Sequence, residues 1–205
     1  MTKLSIGLTA AVCLSVAYAP QLLLAQSREI DSHIAIENPA SLSNNEANQI
    51  YDRLKESMAD SYALSRLAIV EDYQSWKLFS DAPYMSATHG QRYVNSYANE
   101  IARNYDSLQI GETLPVGSVL AKDSITILDD KSVYAGALFI MEKLPEGQSP
   151  ATADWRYVMV IPDGSLFGDT HGERSELMAY CHECHLSVAE RDHTFFVPEE
   201  YRVSN

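Results

Sequence analysis

Cysteine is scarce in this chain: its 205 residues contain three, at Cys13, Cys181 and Cys184. Cys13 lies in an apolar N-terminal segment, and the other two are three positions apart near the C-terminus. Two thiols this close together cannot form a long-range disulfide framework. The scarcity excludes a disulfide-stapled fold, and the chain is long enough for one domain with a hydrophobic core instead.

Positive charge is also scarce. The sequence has 15 Lys and Arg residues against 28 Asp and Glu residues, which gives a formal net charge of −13 at pH 7. Such a surface repels nucleic acid and anionic lipid, so neither is an expected partner. It favours a soluble partner that carries positive charge.

Long apolar runs are absent except for residues 4–25, which carry no charge and follow Lys3. This arrangement predicts a signal peptide at residues 1–25, with Ala25 the last residue before cleavage. We therefore expect a periplasmic or otherwise exported protein with no membrane contact after cleavage. A retained anchor is the alternative, because about 20 apolar residues can just span a bilayer.

The remaining chain predicts an irregular lead-in at residues 26–42 and a single domain at residues 43–205. Ser43 and Glu46 have the spacing of a capping box. The residues that follow it at a spacing of four are Ile50, Leu54 and Met58. This pattern predicts an amphipathic helix that ends near residue 67.

From Pro115 onwards the pattern alternates as in β-strands. Strands are predicted at 116–128, 135–144, 155–161 and 165–167, with turns at 129–131 and 162–164. Helical segments are predicted at 71–79, 99–105 and 173–185, residues 91–98 fit either a strand or a helix, and residues 188–203 are irregular. The predicted fold class is α+β, an antiparallel β-sheet with an N-terminal helix and a C-terminal helix.

The predicted C-terminal helix carries Cys181-His182-Glu183-Cys184-His185, which matches the Cys-x-x-Cys-His pattern of c-type haem attachment. Two thiols on one helical turn can reach the two vinyl groups of a porphyrin, and the histidine that follows can bind the iron. The motif predicts one covalently attached haem c, with Cys181 and Cys184 as thioether residues and His185 as the iron ligand.

Two other chemistries use similar residues. A thioredoxin-type dithiol has Cys-x-x-Cys at the start of a helix near the N-terminus, whereas this motif ends a helix near the C-terminus. A zinc site could use Cys181, Cys184, His185 and His193, but no second cysteine pair supports it.

The position of the motif restricts the kind of cytochrome. No methionine follows His185 to serve as a sixth iron ligand, as one does in small electron-transfer cytochromes. The predicted strands exclude a four-helix bundle. What remains is a β-rich cytochrome with a C-terminal haem-bearing helix.

Several segments, spread over residues 75–205, resemble the cytochrome P-460 family. They are His89-Gly90-Gln91-Arg92-Tyr93-Val94-Asn95, Leu114-Pro115-Val116-Gly117-Ser118-Val119-Leu120-Ala121-Lys122, Asp154-Trp155-Arg156-Tyr157, the haem motif, and Asp192-His193-Thr194-Phe195-Phe196. The resemblance implies a fold similar to the β-type cytochromes c′: a homodimer with an antiparallel sheet over a five-coordinate haem. It also implies hydroxylamine oxidation and a cross-link between the haem and a strand lysine, which Lys122 matches.

The residues alone do not single out Lys122, because Ser118, Ser124 and Thr126 share its face of the strand and indicate a solvated surface. Oxidation of hydroxylamine also needs a base. The carboxylates that could serve are Glu142, Asp154 and Glu173, and the histidines that could lie on the distal side are His89 and His171. Spacing does not choose among them. Surface or turn positions are the simpler explanation for the three carboxylates, and turn or core positions for the two histidines.

The leading hypothesis is a periplasmic P-460-like protein that oxidises hydroxylamine or a related small nitrogen compound and passes electrons to a soluble redox partner. The first alternative is a cytochrome c′-type protein that binds nitric oxide or carbon monoxide without turnover. A simple electron carrier is the second.

Overall fold

The computed structural model describes residues 36–203, and the predicted signal peptide lies outside that range. Residues 36–42, the described part of the predicted lead-in, contain no helix, and Pro39 there forms an isolated antiparallel bridge with Leu128. Among the described residues, no helix is both long enough and apolar enough to cross a membrane.

Helix α1 spans Asn44–Ala63 and begins with the predicted capping box. Ser43 Oγ accepts a hydrogen bond from the Glu46 N–H, and the Glu46 carboxylate accepts one from the Ser43 N–H. The helix ends before residue 67, where the sequence pattern placed its end. It stops because the chain tightens into three-residue turns and Arg66 takes a left-handed φ of 58°.

Two predicted helical segments are replaced by short turns. Residues 71–79 contain the 3-10 turn Tyr73–Ser75 and then strand β1, Lys77–Leu78, which pairs with the edge of the sheet. Residues 99–105 hold the 3-10 turn Glu100–Ala102 and the start of another at Tyr105–Ser107. Both segments are short, and a short helix gains little stability from its own backbone hydrogen bonds. Strand pairing and 3-10 turns therefore form there instead of a longer helix.

Within residues 36–203, eight strands form one antiparallel sheet in the order β1-β3-β4-β6-β7-β8, with β2 paired to β3 and β5 paired to β4. After β1 they are β2 Tyr84–Ser86, β3 Arg92–Ala98, β4 Val119–Ile127, β5 Val133–Ala135, β6 Leu138–Lys143, β7 Trp155–Val160 and β8 Leu166–Asp169. The predicted α+β class is confirmed. The ambiguous segment 91–98 is a strand, and the predicted strand 135–144 is divided between the end of β5 and β6.

The break between β5 and β6 falls at Gly136. A Cβ atom at this position would lie 2.2 Å from Ser124 Oγ, so only glycine allows the backbone to pass so close to β4. The Gly136 N–H donates to the Ser124 carbonyl at 2.7 Å. β4 therefore pairs with β5 at one end and with β6 at the other.

The two faces of the sheet have different cores. One face packs against α1 through Tyr51, Met58 and Tyr62, together with the odd-numbered β4 residues Val119 and Ile125. The opposite face forms a second cluster, in which Leu120 of β4 packs near Phe139, Tyr157 and Cys181. Because side chains alternate along a strand, β4 separates the α1 side of the molecule from the side that carries the cysteine motif.

A buried carboxylate lies on the α1 side of β4. Asp123 has no solvent exposure, and it accepts hydrogen bonds from Tyr51 Oη at 2.5 Å and from Tyr73 Oη at 3.0 Å. Tyr97 Oη lies 2.6 Å from Tyr51 Oη and extends the network. Burial raises the pKa of Asp123 to about 7, although the two tyrosine hydrogen bonds act in the opposite direction.

The raised pKa of Asp123 makes folding stability depend on pH. The folded protein holds this proton more tightly than the unfolded chain, so the contribution to stability is complete below about pH 4 and is lost as pH rises through about 7. We expect the free energy of unfolding of the wild type to fall over this range by on the order of 4 kcal/mol relative to that of Asp123→Asn. Urea unfolding followed by circular dichroism measures the difference.

The exposed Asp60→Asn variant controls for the loss of one negative charge from the same side of the protein. If the stability difference between wild type and Asp123→Asn stays constant between about pH 4 and 7, the proposed protonation of Asp123 is wrong.

Candidate functional site

The cysteine motif lies on helix α2, Ala179–His185, which is shorter than the predicted helix at 173–185. A 3-10 turn, Ser175–Met178, precedes it, and another, Leu186–Arg191, follows it. Cys181 is half-buried, Cys184 is exposed, and both thiols are free. One turn of helix thus presents two reduced thiols and, directly after them, the buried His185.

His185 is held in a defined orientation. Its Nδ1 donates to the His193 carbonyl at 2.6 Å, so the proton sits on Nδ1 and the Nε2 lone pair is available to a metal. The rings of Tyr157 and Phe195 meet the imidazole edge-on, at 5.5 and 5.1 Å between centroids. Burial lowers the pKa of His185 to about 4, which keeps the ring neutral near pH 7, as metal coordination requires.

Lys122 lies on the sheet face that looks toward the motif. It shares that face with Leu120 and stands directly opposite Phe139 of β6, and both of these residues pack in the cluster that contains Cys181. Lys122 is half-buried, and after burial and the His193 hydrogen bond its positive charge is the next influence on the pKa of His185. The polar face that the sequence pattern assigned to solvent is therefore turned toward the motif. The cross-link itself stays a prediction.

His89 lies on the same side of the sheet as Lys122, although sequence spacing gave no reason to prefer it to His171 as a site residue. The 3-10 turn Ala87–His89 brings its ring 4.8 Å from that of Phe139, edge to face, and places Nδ1 2.8 Å from Ser86 Oγ. Burial lowers the pKa of His89 well below its ordinary value, and the charges of Lys122, His185 and Arg92 add to the effect. His89 is thus a neutral imidazole close to Lys122.

The three carboxylates considered from the sequence lie elsewhere. Glu142 shares the α1 face of β6 with Ile140 and forms an ion pair with Arg156 at 2.9 Å. Asp154 accepts backbone hydrogen bonds within the loop before β7, and Glu173 is exposed. His171 is also exposed, in the turn after β8. None of these residues shares the strand face of Lys122.

The alternatives to haem attachment have weak structural support. In the described part of the chain, no three His, Cys, Asp or Glu side chains converge as a metal-binding group, so the zinc set drawn from Cys181, Cys184, His185 and His193 is not assembled. Burial raises the pKa of the Cys181 thiol to about 11, whereas a catalytic dithiol needs a lowered one.

The site does fit a haem. Thioether attachment needs two reduced thiols on a helical turn and an adjacent imidazole with a free Nε2, and all three are present. Four buried polar atoms in or beside the motif helix, Tyr157 Oη, Tyr180 Oη, His182 Nδ1 and His193 Nδ1, have no hydrogen-bond partner among the described residues. Unsatisfied buried atoms are costly, and their clustering here is expected where a polar cofactor or its water belongs.

Comparison with known proteins gives one positive result. The family model described as Cytochrome P460 matches residues 70–196. This range includes Lys122, His89 and the whole cysteine motif but excludes α1. No curated protein matches the chain.

The two thiols should differ sharply in reactivity in protein that has not acquired haem. With a pKa of about 11, roughly 0.1 % of Cys181 is thiolate at pH 8, and its side chain is also half-buried. We expect iodoacetamide to modify the exposed Cys184 at least about tenfold faster. Peptide mass spectrometry over a time course measures both rates, with urea-unfolded protein as the control. Equal rates in the folded protein, or rapid formation of a Cys181–Cys184 disulfide, would contradict this site geometry.

Proposed function

Since the chain belongs to the cytochrome P460 family and is therefore a haem protein, we propose that it oxidises hydroxylamine or a related small nitrogen compound. One haem c is attached through Cys181 and Cys184, and His185 is its iron ligand. The observation that carries the proposal is the placement of Lys122 on the sheet face that looks toward Cys181, with its charge close to His185.

When bound, the haem would supply an iron that can take up a small nitrogen ligand and pass its electrons to an external acceptor. The residues of the chain do the rest. His185 presents its Nε2 because Nδ1 is engaged by the His193 carbonyl. Leu120 and Phe139, both partly buried, place apolar side chains beside Lys122.

Each electron removed from hydroxylamine is accompanied by a proton, so the site needs a proton acceptor. We assign this role to His89. In the tautomer in which Nδ1 donates to Ser86 Oγ, Nε2 carries a lone pair and can accept the proton. Its lowered pKa keeps the ring neutral across the physiological range, and Glu142, Asp154 and Glu173 lie away from the face of Lys122.

Lys122 is proposed as the cross-linking residue. A bond from its Nζ to a porphyrin carbon removes one hydrogen from each partner, so an oxidant of the peroxide class must take up the two electrons. The bond would restrain the haem on the strand side and alter its electronic spectrum. Without it, Lys122 remains a cation beside His89 and His185.

Binding of nitric oxide or carbon monoxide without turnover is the second candidate. The apolar side chains on either side of Lys122 favour a small uncharged ligand, which supports this alternative. The presence or absence of the cross-link to Lys122 distinguishes the two functions, because the gas-binding cytochromes of this fold carry haem on the cysteines alone.

Export, a soluble and positively charged redox partner, and a homodimer complete the proposal. Export is supported by the signal-peptide pattern at residues 1–25 and the partner by the formal net charge of −13. The homodimer follows from the family resemblance.

The Lys122→Arg variant keeps the positive charge but cannot form the same bond. We expect it to retain haem on the Cys181–Cys184 peptide, to show the spectrum of an ordinary c-type haem, and to lose roughly 10- to 100-fold in hydroxylamine-dependent reduction of a dye. Mass spectrometry of haem peptides and stopped-flow absorbance measure these effects. Lys131→Arg, in the exposed turn after β4, is the matched control.

Wild-type protein that contains haem but never joins it to the Lys122 peptide and never oxidises hydroxylamine would refute the enzymatic proposal and favour gas binding. Colourless protein after expression with a working haem-attachment system would refute both.

The His89→Gln variant tests the proton acceptor. We expect kcat for hydroxylamine oxidation to fall about 100-fold, while haem content and nitric oxide affinity stay at the wild-type level. Because His89 must be neutral to act, the wild-type rate should decline only as pH falls well below 6.5, the ordinary value, and this decline should vanish in the variant. His171→Gln, at an exposed turn, is the control. An unchanged kcat and pH profile in His89→Gln would exclude the assignment.

A further inference from the structure

A buried ion pair connects β6 to the loop after the haem motif. Lys143 Nζ lies 2.6 Å from Asp192 Oδ1, and the two side chains are 11 % and 3 % exposed. Lys143 also donates to the Ala153 carbonyl at 3.0 Å and lies 4.9 Å above the centre of the Trp155 ring. A pair this deeply buried is costly to desolvate, and removing either partner would leave an uncompensated buried charge.

Asp192 uses its remaining acceptors to fix the loop. Its Oδ2 accepts from the Leu114 N–H at 2.9 Å, and its carbonyl accepts from Trp155 Nε1 at 2.9 Å. Residues from three separate segments therefore converge on one aspartate. Lys143, Trp155 and Leu114 are all distant from it in sequence, so only the folded chain assembles this network.

The network holds an unusual backbone bend. Asp192 and His193 have φ angles of 50° and 62°, two consecutive left-handed residues that are not glycine. Aspartate and histidine tolerate this conformation better than most residues, but each still costs free energy in it and keeps it only where the surroundings hold the backbone. The bend directs the His193 carbonyl toward His185, where it accepts a hydrogen bond from Nδ1 at 2.6 Å.

We propose that Lys143 and Asp192 are positioning residues that set how strongly His185 binds the iron. They act by fixing the bend that presents the His193 carbonyl to His185 Nδ1. A short hydrogen bond at Nδ1 raises the donor strength of Nε2 and fixes the plane of the ring. The inference rests on the proposed function only in requiring haem at this site, and not on hydroxylamine oxidation.

The consequence concerns the open side of the iron. A strongly held proximal histidine keeps its bond when a ligand such as nitric oxide binds opposite to it, whereas a weakly held one is released. The ion pair would thus determine whether the nitric oxide adduct is six-coordinate or five-coordinate. It would also influence the equilibrium between the oxidised and reduced haem, because a stronger donor favours the oxidised iron.

The test uses holoprotein variants Asp192→Asn, Lys143→Met and Lys143→Arg. We expect Asp192→Asn and Lys143→Met to lower the iron–histidine stretching frequency in resonance Raman spectra of the reduced protein. Their nitric oxide adducts should convert from six- to five-coordinate in electron paramagnetic resonance, with the coordination equilibrium changed roughly tenfold or more. Lys143→Arg keeps the ion pair, so both signals should stay at their wild-type values.

The matched controls break a second ion pair of similar length on the α1 face of the sheet. Arg156 binds Asp169 at 2.6 Å and Glu142 at 2.9 Å, so Arg156→Met and Asp169→Asn remove charges of the same signs from a partly buried pair, in which the two side chains are 22 % and 6 % exposed. Both controls should keep the wild-type Raman frequency and nitric oxide adduct.

Should a single variant fail to fold, the double variant Lys143→Met/Asp192→Asn removes both buried charges together and avoids an unpaired one. It should give the same weakened iron–histidine signals. Wild-type Raman and nitric oxide signals in Asp192→Asn and Lys143→Met would overturn the proposal, as would equal shifts in the Arg156 and Asp169 controls. Because both readouts need only bound haem, this outcome is distinguishable from the absence of hydroxylamine oxidation or of haem itself.

Discussion

The alternation of side chains along β4 organises this protein. Neighbouring residues of a strand point to opposite faces, so Lys122 and Asp123, adjacent in the chain, serve different halves of the molecule. Asp123 enters a tyrosine network beneath α1, and Lys122 faces the cluster that contains Cys181. A shift of one residue in the pairing with β3 or β6 would exchange the two charges and place a carboxylate toward the haem motif.

Three aspartates are buried among the described residues, and two of them, Asp123 and Asp192, have contrasting surroundings. Asp123 is surrounded by tyrosine hydroxyls, has no cation in its hydrogen-bond network, and holds a proton up to about pH 7. The Asp192 carboxylate is paired with Lys143 and accepts two further hydrogen bonds, from the Leu114 N–H and from Trp155 Nε1. The first belongs to the core that secures α1 on the sheet. The second lies where the chain holds a left-handed bend next to His185, the proposed iron ligand.

Around the motif, the chemistry depends on imidazoles rather than on acids. His185 is neutral because burial opposes a positive charge, and His89 is neutral for the same reason with the nearby cation of Lys122 adding to it. A neutral imidazole can bind a metal or accept a proton, whereas a protonated one can do neither. The carboxylates of Glu142, Asp154 and Glu173 are engaged or exposed elsewhere, so none of these three acids shares the face of Lys122.

The sequence alone determined the features that depend on neighbouring residues. The capping box at Ser43, the hairpin turn before β8 and the cysteine motif are local, and spacing and residue type suffice to recognise them. Only the tertiary structure decided which face of β4 is covered by the motif, that His89 lies beside Phe139, and that Lys143 meets Asp192. Periodicity shows that a strand has two faces, but contacts between residues dozens of positions apart decide what each face meets, and those contacts exist only in the folded chain.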